Sequence, residues 1–290
     1  MKNLKTAILL VLVAAMCFGL FAGCGAKKTA SETDTPSTDA NTAVVDDLAY
    51  IKDNGKLVIG YTVYEPMNYT DENGEFTGFD TEYANAVCEK LGVKAEFVEI
   101  NWDTKEVELN AKSIDCIWNG LTITEDRQAN MSITVPYVKN AQVIVVKADS
   151  GIKSTADLIG KSVVAEVGSA GEMQIIGSED AEPEANLAQA TYVGMNKQTD
   201  CLLEVKAGTA DAAVLDWTLA KTMVGEGTDY SDLIIVEGLE LAAEEYGIAF
   251  RKGSNLTEEV NKIIAELVDD GTLAALAEKY GLSLAPSIVK

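Results

Sequence analysis

The stretch IWNGLTITEDR, residues 117–127, holds three groups suited to gripping a small ligand. Gly120 offers a backbone carbonyl, Thr122 a hydroxyl and an N–H, and Arg127 a planar guanidinium fork that matches a carboxylate. Thr124 is a good helix N-cap, and Glu125 and Asp126 suit a first helical turn, where the dipole favours anions. A cation at 127 runs against that pattern. It is solvated, or paired with its acidic neighbours, or aimed at an anion. A second stretch, Glu166-Val167-Gly168-Ser169-Ala170-Gly171, is a small turn at a helix start, whose free N–H groups can meet an anion or merely connect two elements. Third, Asp216 ends the apolar run AAVL, where its carboxylate can cap the next helix or receive an ammonium group. Each site lies at the carboxyl end of a predicted strand, where open α/β sheets place ligands. Together they supply donors for one carboxylate and an acceptor for one ammonium, which matches the backbone end of a free amino acid.

Aromatic residues flank these sites. Tyr64 in VYEPMNY and Trp102 in EINWDTKE fall in polar loops after strands, so they are candidate pocket walls. Trp118 sits within a strand, and core packing explains it.

Much chemistry is excluded. The chain has no histidine, which removes Ser-His and Cys-His catalytic pairs and the commonest zinc ligand. Its five cysteines, Cys17, Cys24, Cys88, Cys116 and Cys201, form no CxxC pair and no regular framework. No catalytic residue, metal ligand or cofactor is assigned. The formal charge of −23 repels phosphate backbones, so nucleic acid is not an expected partner.

The elements that must position these residues follow from apolar periodicity. From Lys56 onward, short apolar runs alternate with amphipathic segments, which predicts an α/β fold with a mainly parallel sheet. KLVIGYT reads as a strand, Asn73-Gly74 as a two-residue hairpin turn, and Phe79, Tyr83, Ala86, Val87 and Leu91 as one face of a helix ending at Gly92. A second helix is expected to carry Val107, Ala111 and Ile114 inward. Further strands are expected at VKAEFVEI, DCIWNG, AQVIVVKAD, SVVAEV, ADAAVLD, DLIIVEG and YGIAFRKG, with helices near TDCLLEVKAG and WTLAKTM. Leu256, Val260, Ile263, Ile264, Leu267 and Val268 make one carboxyl-terminal apolar stripe, and Leu273, Leu276 and Tyr280 another. Residues 177–191 are polar and are placed at the surface.

The amino terminus reads as a secretory signal: Lys2 and Lys5, an uncharged apolar run from Ala7 to Ala22, then Gly23-Cys24. The run is too short for a comfortable membrane span. Small residues directly before Cys24 resemble a bacterial lipobox, with Phe21 where leucine is usual. This predicts residues 1–23 as a removed signal peptide, Cys24 as the lipid-bearing new terminus, and 24–45 as a flexible Ser/Thr/Asp-rich tether.

The segments LVIGYTVYEPMNY, GEFTGFDTEYANAVCEKLG, SIDCIWNGLTITEDR, GKSVVAEVGSAGE and KAGTADAAVLD, in that order, resemble the polar amino-acid substrate-binding proteins of bacterial ABC importers, across nearly all of residues 46–285. The resemblance implies a type II periplasmic-binding-protein fold, with two lobes hinged over a central cleft. Lobe 1 would be residues 46–140 and 242–290, and lobe 2 residues 141–241. It further implies that Arg127 clamps the ligand α-carboxylate with the N–H groups of Thr122 and Ser169 or Ala170. Asp216 would bind the α-ammonium, assisted by the Gly120 carbonyl and Thr122 hydroxyl. Tyr64 and Trp102 would sandwich the side chain, and Glu166 would stand at a position that varies with specificity. Some relatives have a threonine where this chain has Ala170. Binders of basic amino acids often have an acid where this chain has Tyr61. A disulfide known from Cys88 in some relatives is ruled out, because its partner position is Ala95.

The expected function is a lipid-anchored, monomeric, extracytoplasmic receptor that captures an amino acid and delivers it to the permease subunits, making and breaking no bond. The enzyme alternative, a dehydratase or lyase on the same scaffold, would use Glu166 as general acid. A sensor would need a later membrane span, and the sequence shows no such stretch.

Overall fold

The computed structural model describes residues 46–289. Its order is α1 (Asp47–Asn54), β1 (Lys56–Tyr61), β2 (Tyr69–Thr70), β3 (Phe76–Thr77), α2 (Phe79–Leu91), β4 (Lys94–Glu99), α3 (Lys105–Asn110), β5 (Cys116–Thr122), α4 (Glu125–Asn130), β6 (Met131–Ile133) and β7 (Val138–Lys147). There follow β8 (Ser162–Glu166), α5 (Ala170–Ile176), β9 (Thr191–Met195), α6 (Gln198–Ala207), β10 (Ala212–Asp216), α7 (Trp217–Met223), β11 (Leu233–Arg251), α8 (Leu256–Asp269) and α9 (Thr272–Lys279). The signal segment, the tether and Cys24 lie outside the described residues.

The main sheet runs β4-β1-β5-β11-β7-β10-β8-β9, with β6 beside β11. Its two ends are parallel, β1 with β4 and β5 on one side and β8 with β9 and β10 on the other. The middle is antiparallel, because β11 pairs with β5, β6 and β7, and β7 with β10. This corrects the expectation of a mainly parallel sheet. The cause is that two strands, β7 and β11, cross between the halves in opposite directions.

Each half buries both faces, so the molecule is two α/β lobes on one continuous sheet. In the first half Tyr83, Val87, Ile263 and Leu267 cover one face, while Leu109, Ile114, Ile117 and Leu121 cover the other. In the second half Cys201, Leu202, Val205 and Leu219 oppose Ile144, Val146, Leu158 and Ile175. β5 is buried at all seven positions, as a central strand must be. Trp118 belongs to this core as expected, edge-on to Tyr83 with ring centroids 4.9 Å apart.

Several local expectations need revision. DLIIVEG and YGIAFRKG are parts of one 19-residue strand, β11, whose register against β7 shifts between Ile235 and Glu240 and again before Ala242. Residues around Asn73-Gly74 close a wider hairpin: Asp71 N–H donates to the Glu75 carbonyl, and the Asp71 carboxylate accepts from the N–H groups of Asn73 and Glu75. That Asx-type bonding stabilises a longer loop than Asn-Gly alone predicts. The second helix is a short α3 that buries Lys105 and Leu109 and leaves Val107 and Ala111 outside; Ile114 is buried beyond its end. α1, β6 and β9 are additional to the expected elements, β9 because it is a half-exposed edge strand without alternation.

One buried arginine is purely architectural. Arg251, ending β11, donates from Nε to Asp47 Oδ2 at 3.0 Å and from Nη2 to Asp115 Oδ1 at 3.1 Å. Its Nη1 donates to the carbonyls of Leu109 and Ile114. Burial works against its charge, but the two carboxylates outweigh that and raise its pKa. The cluster ties α1 to the sheet.

Candidate functional site

At the carboxyl ends of β5, β8 and β10, a narrow cleft gathers all nine residues expected from the sequence: Tyr64, Trp102, Gly120, Thr122, Arg127, Glu166, Ser169, Ala170 and Asp216. Asn119 and Gln198 line it as well.

Arg127 is neither solvated nor paired with its acidic neighbours. It is 2% exposed, and the Thr124 hydroxyl caps α4 by accepting from its backbone N–H. Its Nη1 donates to the Thr122 carbonyl at 2.7 Å and its Nη2 to the Gly168 carbonyl at 3.0 Å, across the cleft. Nε is buried without a hydrogen-bond partner. Burial lowers its pKa, offset by Glu244 and Asp216. The guanidinium is thus held by carbonyls alone and keeps donor capacity for an anion.

Gly120 must be glycine. It sits at φ +59°, and a Cβ there would meet the Tyr64 ring at 2.8 Å and the Tyr246 ring at 3.1 Å. Its N–H donates to Asp80 Oδ2 at 2.8 Å, and Tyr137 Oη donates to the same oxygen at 3.0 Å. Burial pushes the Asp80 carboxyl up to about 7. Asn119 donates to the Thr62 carbonyl and to Asn68 and accepts from Thr62 N–H, which binds the Tyr64 loop to β5. The Tyr64 and Tyr246 hydroxyls share a 2.6 Å hydrogen bond. Trp102, 5% exposed, opens a one-turn helix capped by Asn101.

Asp216 does not cap α7 with its side chain. Its Oδ1 accepts from Asn140 at 2.8 Å and Gln142 at 2.5 Å, and Gln198 donates to Oδ2. Gln198 Oε1 accepts in turn from the Asp216 N–H. Asn140 and Gln142 also donate to Glu244 Oε1, as does the Thr122 hydroxyl at 3.0 Å. Burial raises the pKa of Asp216, and burial plus Asp216 pushes Glu244 up to about 8. Ser169 caps α5 by accepting from Glu172 N–H, so its hydroxyl is engaged, while the N–H of Ala170 opens the first turn.

Glu166, 3% exposed, ends β8 with Oε1 buried and unpartnered. Burial first and Asp216 second push it up to about 8. Lys105 is not expected from the sequence, because TKEVELN reads as a charged surface. Its Nζ donates to the carbonyls of Trp102 and Gly168 at 3.1 and 2.9 Å, and burial with Arg127 nearby pulls it down to about 7. Gly168, at φ +74°, leaves only tight space for a Cβ, which would lie 3.1 Å from Lys105 Nζ and 3.2 Å from Asp103 Cα. Gln142, Asn140, Gln198 and Glu244 are likewise unexpected; only their positions in the fold bring them to Asp216.

Two lobes on a shared sheet, with a polar cleft between them and one buried cation set against buried carboxylates, define a small-solute-binding protein. The chain belongs to the bacterial extracellular solute-binding proteins, family 3, which it matches over residues 57–283. It is 30% identical to the arginine-binding extracellular protein ArtP of Bacillus subtilis over 280 residues, covering 96% of this chain and 98% of that one. It is 30% identical to the L-cystine-binding protein TcyJ of Escherichia coli, over 79% of this chain and 84% of that one. A crystal structure of a mutant ArgBP from T. maritima superposes with a TM-score of 0.72 at 36% identity, covering 81% of this chain and 98% of that one. No helix among the described residues is long and apolar enough to cross a membrane.

Proposed function

We propose that the chain is the extracytoplasmic receptor of an ABC importer, capturing a free amino acid between its lobes and handing it to the permease. Arg127 carries the reading: a buried guanidinium held by carbonyls alone, with Nε unspent, faces a cleft whose other wall is Asp216. The α-carboxylate would sit on Arg127 with the N–H groups of Thr122 and Ala170. The α-ammonium would sit at Asp216, whose carboxylate Asn140, Gln142 and Gln198 orient. Tyr64 and Trp102 would flank the side chain. Lobe 1 would comprise 46–140 and 242–290, and lobe 2 141–241; the shift of β11 register before Ala242 supports that division. Closure is favoured to the extent that the ligand prefers the closed form.

Thermal-shift screening against the twenty amino acids, cystine and ornithine tests this. At least one should raise the melting temperature in proportion to the logarithm of its concentration. No shift from any of them, with Arg127 intact, overturns the reading. The receptor makes no bond, so ligand recovered after incubation should have unchanged mass. Loss of water or ammonia would instead favour Glu166 as a general acid, the role its raised pKa suits. The anchor at Cys24 is tested by Cys24→Ser, which should move the protein from the membrane fraction to the medium. A single copy suffices for the site, and size-exclusion should return a monomer.

A further inference from the structure

We propose that the cleft selects an amino acid whose side chain carries a cation, and that Glu166 receives that cation. This rests on the receptor reading above. Among the groups lining the cleft there is one cation, Arg127, and two carboxylates, Asp216 and Glu166. A zwitterionic backbone placed on Arg127 and Asp216 adds no net charge, so one carboxylate remains uncompensated. The next shell adds no positive excess, since buried Lys105 stands against half-buried Glu244 and buried Asp80, which holds the Gly120 N–H.

Among the described residues, Lys105 and Arg127 lie near enough to favour the charged form of Glu166, but none makes a hydrogen bond to its buried Oε1. The Lys105 ammonium is spent on the carbonyls of Trp102 and Gly168, and the Gln198 amide is spent on Asp216. Glu166 Oε1 is left without a hydrogen bond at 3% exposure. Burying an unpaired carboxylate is unfavourable, which a cationic partner offsets and a neutral one does not. A ligand amide would fill the hydrogen bond at Oε1 but leave the excess charge. Burial and Asp216 disfavour the charged form of Glu166, a cost that a ligand cation beside it offsets and a neutral amide leaves in place. The aromatic walls agree, since ring faces attract cations and Trp102 already has the Lys105 ammonium 5.1 Å from its ring centroid.

Isothermal titration of the purified chain with arginine, lysine, citrulline and norleucine separates charge from shape. Citrulline keeps the size and planarity of arginine without the charge, and norleucine does the same for lysine. Arginine or lysine should bind about 100-fold tighter than its neutral counterpart. Glu166→Gln should erase most of that ratio, with arginine and lysine losing far more affinity than citrulline and norleucine. The proposal is overturned if citrulline or glutamine binds as tightly as arginine, or if the ratio survives in Glu166→Gln. Should that variant lose its native circular dichroism, the wild-type ratio decides. Binding of neutral amino acids alone sinks this proposal but leaves the receptor reading standing, whereas binding of no amino acid sinks both.

Discussion

Arg127 and Arg251 are equally hidden, 2% and 5% exposed, yet their surroundings differ in kind. Arg251 meets two carboxylates and two carbonyls, and its charge is raised in pKa by them. Arg127 meets two carbonyls and no carboxylate, its Nε is unspent, and burial lowers its pKa. A buried cation completed by its own fold is structural. One left incomplete is where the proposed receptor would take a foreign anion.

Substitutions should separate the two. Arg251→Ala strands Asp47 and Asp115 in the interior, and urea denaturation should show a loss of about 3–5 kcal/mol, with ligand affinity of the folded protein unchanged. Arg127→Ala should do the opposite. Titration should show affinity weakened by about 3 kcal/mol, while the urea midpoint of the ligand-free protein stays level or rises, because an unpaired buried charge has gone. If Arg127→Ala unfolds the protein, or Arg251→Ala abolishes binding in folded protein, the distinction fails.

Gly168→Ala sharpens the contrast from the far side of the cleft, since Gly168 offers the carbonyl that both Arg127 and Lys105 use. With positive φ and Asp103 Cα 3.2 Å from the new Cβ, affinity should fall about tenfold, or about 1.4 kcal/mol. The smallest effect belongs to an exposed pair joining the end of β4 to the start of α6, Lys197 to Glu99 at 2.5 Å. Lys197→Ala should cost about 0.5 kcal/mol of affinity at low ionic strength, and nothing measurable in about 1 M salt.

Residues announced by local pattern are legible in the sequence itself. Arg127 stands out because it breaks the charge order of a first helical turn, and Asp216 because a carboxylate ends an apolar strand. Lys105, Gln198 and Glu244 carry no such signal. Lys105 and Gln198 have polar neighbours, and only the crossing of β7 and β11 brings Asn140, Gln142 and Glu244 to Asp216. The same crossing hides the antiparallel centre of the sheet, because βα alternation reports each lobe but not the strands that pass between them. β11 reads as two strands because Gly238, at φ +72°, and the acids near it interrupt the apolar run.

Asn140 and Gln142 lie on β7 and Glu244 on β11, the two strands that link the lobes. These same three side chains, with Thr122, form the network that aims Asp216. On the proposed function, the angle between the lobes and the arrangement of Asp216 would therefore be one coordinate. Turning the lobes would detune the site, and filling the proposed site would set the angle. A permease that docked on the proposed receptor and sensed only lobe orientation would thereby receive a readout of occupancy without touching the ligand.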